Sequence, residues 1–166
     1  VSYKGVPDVR VIVFRGYPVM AMIRLPTRMS DGKANLHQGA IGVGIDIPTG
    51  ITKRGVWGNE PVKEHPDTEH SIVGLNIPRW DELLLIAARA YELSCLGYVG
   101  VDIVLDRNLG PLILELNARP GLAIQIANGN GLAHRLKRIQ ALEAAGTLAK
   151  DPAERVAFAK ANFATT

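Results

Sequence analysis

Three oxygen-bearing side chains stand out near the middle of the chain. Asp102 lies inside one apolar run, YVGVDIVLD over residues 98–106, and Glu115 and Asn117 end the next, PLILELN over 111–117. Residues two apart on a strand point to the same face, so Glu115 and Asn117 project together. A hairpin that pairs 102 with the region of 115 adds Asp102 to them. Two carboxylates and an amide oxygen form a donor set suited to a hard cation such as Mg²⁺, which leaves positions open for phosphate oxygens and water. A cation between the two carboxylates would also remove their mutual repulsion. The spacing leaves a second reading open, in which Asp102 and Glu115 form salt bridges with Arg107 or Arg119.

The elements that would hold these residues follow from periodicity. Residues 9–15 (VRVIVFR) and 19–25 (VMAMIRL) read as a β-hairpin around Gly16-Tyr17-Pro18, and 39–47 (GAIGVGIDI) and 51–57 as two further strands. Residues 26–38 and 58–78 read as polar loops. Trp80, Leu83, Leu84, Ala87, Ala88, Tyr91 and Cys95 recur at helical spacing, which predicts a helix over 80–96 with Gly97 as its C-cap and Cys95 in the core. Residues 118–131 read as a Gly/Asn-rich loop with a short apolar centre. Helices are predicted over 132–145 and over 151–164, the latter with Asp151-Pro152 as cap and first position. This order predicts an α+β fold, an antiparallel sheet with helices packed on one face.

Bulk properties agree with an ordinary globular domain. The chain has 166 residues, 47 % hydrophobic and 21 % charged, with a net charge of +3. Residues 1–58 carry eight Lys/Arg against three Asp/Glu, a basic half that could face phosphates or simply be solvated. Aromatic residues make up only 5 %, and no interleaved aromatic-basic pattern supports nucleic-acid binding. No run of apolar residues is long enough to span a membrane, and no signal-peptide pattern is present. The single cysteine is consistent with a reducing, cytoplasmic setting. The abrupt start at Val1-Ser2-Tyr3-Lys4 suggests a fragment.

VDIVLDRNLGPLILELNARPGL resembles the signature of ATP-grasp ligases: Asp on one strand, Glu-x-Asn on the next, then Pro-Gly. The separations of 13 from Asp102 to Glu115 and 15 to Asn117 are similar to those of D-alanine–D-alanine ligases. Asp8-Val9-Arg10 and Lys33-Ala34-Asn35-Leu36-His37-Gln38-Gly39 resemble segments of the ribosomal-protein glutamate ligase. Ile23-Arg24-Leu25-Pro26 resembles a strand end of bacterial glutathione synthetase. Over roughly residues 3–140 the chain is most similar to alpha-L-glutamate ligase-like proteins.

The resemblance implies an ATP-dependent enzyme forming carbon–nitrogen bonds, in which a carboxylate becomes an acyl-phosphate that an amine then captures. It implies ATP and Mg²⁺ as cofactors, with one or two ions and Mn²⁺ as a substitute. Asp102, Glu115 and Asn117 would hold the metal. Asp8, Lys33, Ala34 and Asn35 would contact the nucleotide, Lys33 standing where relatives carry Arg and so lacking a bidentate fork. Arg10 and Arg24 would face the transferred phosphoryl group. Arg119 departs from the glutamate and D-alanine ligase pattern; it would either bind a substrate carboxylate or phosphate, or brace Glu115 and the Pro120-Gly121 turn. His37 could serve as a substrate contact or only pack its loop.

The implied partners are an amino-acid or other carboxylate substrate, a peptide or small-molecule acceptor, and an upstream nucleotide-binding subdomain, with no nucleic acid and no membrane. Residues 1–145 would be the C-terminal part of an ATP-grasp domain and 146–166 a helical extension, and an isolated half would tend to form homo-oligomers. A non-catalytic nucleotide-binding or regulatory module is the alternative.

Overall fold

A computed structural model describes residues 4–165; Val1 to Tyr3, where the abrupt start was read, lie outside the described residues. A seven-stranded antiparallel sheet has the order β5-β4-β3-β2-β1-β6-β7, formed by β1 (Asp8–Phe14), β2 (Tyr17–Leu25), β3 (Ile41–Ile45), β4 (Thr52–Trp57), β5 (Glu60–Val62), β6 (Tyr98–Asp106) and β7 (Gly110–Asn117). Four α-helices accompany it, α1 (Trp80–Ser94), α2 (Ala123–Asn128), α3 (Ala133–Ala144) and α4 (Pro152–Asn162). The α+β class and the antiparallel sheet expected from the periodicities are both present.

Alternation divides the sheet into two faces. On β1, Val9, Val11 and Val13 point one way and are buried; on β6, Val99, Val101 and Ile103 continue that surface. Helix α1 contacts β1, β2, β6 and β7 and buries Leu83, Leu84, Ala87 and Ala88 in the same cluster. The opposite face carries Asp8, Arg10, Arg24 and Asp102 and stays open above them, so α1 covers the apolar face. Val156, Ala159 and Phe163 of the last helix and its C-cap belong to that same core, and α4 packs on β2 and α1. Its start is as the sequence predicts: Asp151 accepts from Ala153 N–H at 2.9 Å, and Pro152 occupies the first turn.

The 58–78 stretch, expected to be a loop, contributes the short strand β5 beside β4, and two expectations about helices also change. Helix α1 is capped two residues earlier than Gly97, at Cys95, which adopts a left-handed conformation (φ 55°) and is exposed rather than buried. The helical spacing holds to Tyr91, and Cys95 leaves the register because it is the cap. The second change is α2, which forms where a loop was read. It lies on the open face, over β2, β3 and β4. Gly42 and Gly44, opposite Arg24 and Met22, share that face and make room for it. A Cβ on Gly44 would come within 2.6 Å of the Ala127 carbonyl oxygen, and one on Gly42 within 3.6 Å of the Ala127 Cβ. The small residues of 39–47 are what admit α2. Asn128 at its end then ties it to the sheet, donating from Nδ2 to the carbonyl of Ala21 at 2.9 Å.

Gly44→Ala should therefore destabilise the fold by about 1–3 kcal/mol, because the obstacle is backbone rather than a mobile side chain. Gly121→Ala, where a Cβ meets nothing within 4 Å and φ is not positive, should stay within about 0.5 kcal/mol. Chemical denaturation of both variants checks the contrast.

Candidate functional site

Two β-bulges decide which residues share the open face. Counting back from the Phe14–Tyr17 end of the first hairpin would place Asp8 opposite Ile23. A register shift between Ile12 and Val13 places it opposite Arg24 instead. Counting back from the Asp106–Gly110 end of the second hairpin would place Asp102 opposite Leu114. A shift between Asp102 and Ile103 pairs it with Glu115. A one-residue slip exchanges the faces of a strand, so each bulge brings a polar side chain to the site that a regular ladder would have turned away. Across β2, β1, β6 and β7 the result is a row of Met22, Arg10, Asp102 and Glu115, with Arg24 and Asp8 in the row beside it.

Asp102 is the hub. Its side chain lies among the most buried polar groups, 2 % exposed, yet two guanidinium groups reach it. Arg10 is bidentate, Nε to Oδ1 and Nη2 to Oδ2, both at 2.7 Å. Arg24 donates from Nη2 to Oδ2 at 2.8 Å and also forks onto Asp8, Nε to Oδ1 at 2.7 Å and Nη2 to Oδ2. Two carboxylates and two guanidiniums thus balance in a poorly hydrated cluster. Burial by itself would lower the Arg24 pKa, but Asp8 and Asp102 outweigh it and hold the guanidinium charged more firmly than usual. Burial pushes the Asp8 carboxyl above the ordinary aspartate range, against the opposing pull of Arg24, and the nearby charge of Asp102 adds to the rise.

Glu115 differs. It is exposed, and among the described residues its carboxylate takes part in no salt bridge. With the Asn117 amide oriented to satisfy its neighbours, Nδ2 donates to Glu115 Oε1 and the amide oxygen accepts from Arg10 Nη2, each at 3.1 Å. The partners considered from sequence, Arg107 and Arg119, do not pair with Asp102 or Glu115. Among the described residues no three His, Cys, Asp or Glu side chains gather around one point. The convergent set is instead two carboxylates and an amide oxygen. Hard oxygen donors of this kind fit a divalent cation. Three of the roughly four lone-pair positions of Asp102 already accept from arginine, so its share in such a site depends on those arginines moving.

An open pocket of about 530 Å³ lies over this face, within the range of ligand cavities. Asp8, Arg10, Arg24, Asp102, Glu115 and Asn117 line its floor, and Lys33, Ala34 and Asn35 form a wall. Arg119 is exposed and does not line it. The wall continues through a short 3₁₀ turn, Leu36–Gln38, in which Asn35 Oδ1 accepts from His37 N–H at 3.0 Å. Gly39 closes the turn in a left-handed conformation (φ 100°), and its carbonyl accepts from Thr27 Oγ1 and Trp57 Nε1, both at 2.8 Å. Sequence reading missed Met22, Gln38 and Ala123 as lining residues, and it missed the pairing of Arg10 and Arg24 with Asp102. The Arg24 pairing was hidden by the bulge in the first hairpin, and the Arg10–Asp102 pairing by the long-range match of β1 with β6, neither of which alternation reveals.

The sequence model of the sugar-transfer associated ATP-grasp family matches residues 1–141. No curated protein matches the chain.

Removing Asp102 should take from Arg10, 13 % exposed, its only carboxylate partner among the described residues and from Arg24, 11 % exposed, one of its two. Asp102→Ala is expected to cost about 3–5 kcal/mol of unfolding free energy. Asp8→Asn should cost less, because Arg24 keeps Asp102, and Glu115→Gln should be near neutral. Urea denaturation of the three variants tests this order.

Proposed function

Since the chain belongs to the sugar-transfer associated ATP-grasp family, we propose that it is the C-terminal, metal-holding part of an ATP-dependent ligase that joins a carboxylate to an amine. What carries the reading is the meeting of Asp8, Arg10, Arg24, Asp102, Glu115 and Asn117 on the floor of one pocket, beside the Lys33–Asn35 wall. The fold is the ligase-like one of its family. The amide-forming chemistry, and the glutamate-like substrate suggested by the resemblance, are the specific part of the proposal; the family description itself names sugar transfer.

In this reading the substrate carboxylate attacks the γ-phosphorus of ATP, giving an acyl-phosphate and ADP. The amine then adds to the activated carbonyl, and phosphate leaves. Such transfers need position and charge stabilisation more than covalent help from the protein. Arg10 and Arg24 supply the charge. Phosphate oxygens entering the pocket compete with Asp102 for both guanidiniums, and Arg10, as a bidentate donor, can exchange one forked acceptor for another. That exchange leaves Asp102 free. Asp102, Glu115 and Asn117 are the residues that would hold Mg²⁺, whose charge would stabilise the oxygens of the transferring phosphoryl group. Lys33 places a mobile point charge at the pocket wall, and Asn35 fixes the adjacent turn through its bond to His37.

No helix among the described residues is long and apolar enough to cross a membrane. The pocket is open on the side away from the sheet, and the reading assigns that side to an upstream subdomain that would hold adenine. Nucleotide binding by these 166 residues alone should then be weak, and turnover absent.

Calorimetry with ATP and Mg²⁺ tests the reading. Glu115→Ala should weaken metal-dependent nucleotide binding by roughly tenfold or more while leaving metal-free binding unchanged. ATP binding that is indifferent to Mg²⁺ and to Glu115 would contradict the assignment. In a chain extended upstream, ADP release that depends on an added amino acid and is lost in Glu115→Ala is the expected catalytic result.

A further inference from the structure

The wall formed by Leu36, His37 and Gln38 has a second side. Those three residues also line an open pocket of about 570 Å³, completed by Met29, Trp57 and Gly58. A narrow cleft of about 90 Å³, lined in part by Leu36, His37 and Ala123, borders both spaces. The two large pockets are therefore adjacent across a single turn of chain.

Their linings have opposite chemistry. The main pocket is built on five Asp, Glu and Arg side chains, whereas the lining of the second contains no Asp, Glu, Lys or Arg. It offers a half-buried indole, a Met29 side chain 72 % exposed, an imidazole and a primary amide. The indole is held in place, because Trp57 Nε1 donates to the carbonyl of Gly39 at 2.8 Å, the same carbonyl that closes the wall. Met29 and the fixed indole of Trp57 give the pocket an apolar side that a ligand with a C–H face could cover.

We propose that this second pocket binds the pyranose ring of a neutral, sugar-bearing acceptor, whose reactive end reaches over the Leu36–Gln38 turn into the main pocket. A pyranose has one face of C–H groups that can lie on an indole and a rim of hydroxyls that need amide and imidazole partners. Trp57 and Met29 meet the first need, and Gln38 and His37 the second. The uncharged lining excludes a phosphate or carboxylate from this pocket and leaves those groups to the arginines next door. An aromatic amine would find the indole but would make no use of the amide and imidazole beside it. The proposal rests on the ligase reading, since it assigns the acceptor of that reaction.

Calorimetric titration of the 166-residue chain with a panel of neutral methyl hexopyranosides, including N-acetylated ones, tests it. Each sample is also titrated with ATP and Mg²⁺. The expected result is saturable binding of at least one glycoside, weakened about tenfold in Trp57→Ala and measurably in Met29→Ala, with nucleotide binding within about twofold of the parent in Met29→Ala. Met29 is exposed enough that its variant folds, so the test does not depend on Trp57→Ala being stable. The proposal is overturned if no glycoside binds, if binding is the same in both variants, or if aromatic amines bind at Trp57 in place of glycosides. If glycosides fail while metal-dependent nucleotide binding persists, only the acceptor pocket is lost. If metal-dependent nucleotide binding is absent from a chain extended upstream as well, the ligase reading falls.

Discussion

The organisation of the open face depends on one buried carboxylate. Asp102 sits on β6, the strand next to one edge of the sheet, between β1 and β7, with almost no contact with water, and it is tolerated there because Arg10 and Arg24 both donate to it. An unpaired carboxylate in that position would be costly, and so would the Arg10 guanidinium without it. Asp8 completes the balance by taking the other side of Arg24. The four charges therefore specify one another's positions, and the pocket above them inherits a fixed floor. The same balance ties stability to function: any anion that takes the arginines must also leave Asp102 with a new partner, and a divalent cation is the partner its donor set fits.

The backbone supports this cluster by two departures from regularity. The bulges at Ile12/Val13 and Asp102/Ile103 bring Arg24 opposite Asp8 and Glu115 opposite Asp102. On the flanking strand, Gly42 and Gly44 clear space for α2, which borders the pocket through Ala123. The opposite face does conventional work, with valines and isoleucines of β1 and β6 under α1. One face is specified by packing and the other by charge.

Much of this was legible in the sequence. The strands read from alternation are present, as are the helix that starts at Trp80 and the capped helix that starts after Asp151, because each signal was local and periodic. The hairpin bringing Asp102 to the region of Glu115 was also legible, since Asp102 lies midway along one short apolar run and Glu115 near the end of the next, with a four-residue turn between the runs. What the sequence hid was set by longer-range packing. The apolar centre of 118–131 is too short to declare a helix, and α2 forms only because β3 is lined with glycine where it lands. Cys95 keeps helical spacing but is the left-handed cap. The ion pairs of Arg24 required knowing the bulge in the first hairpin, and that of Arg10 required knowing that β1 pairs with β6, and alternation carries no information about either. Arg119, close to Asn117 in sequence, lies beyond the pocket because the strand has ended and the chain is turning away at Pro120.

The central claim is that the phosphates of a bound nucleotide take Arg10 and Arg24 from Asp102. The most direct test observes the arginine Nε–H groups by ¹⁵N-resolved NMR while ATP and Mg²⁺ are added, with Arg10→Lys and Arg24→Lys spectra providing the assignments. The account predicts that both signals move together from their Asp102- and Asp8-bonded positions as the nucleotide binds. Nucleotide binding to saturation with both signals unmoved would show that the arginine–aspartate cluster is a permanent structural core, and would contradict the account.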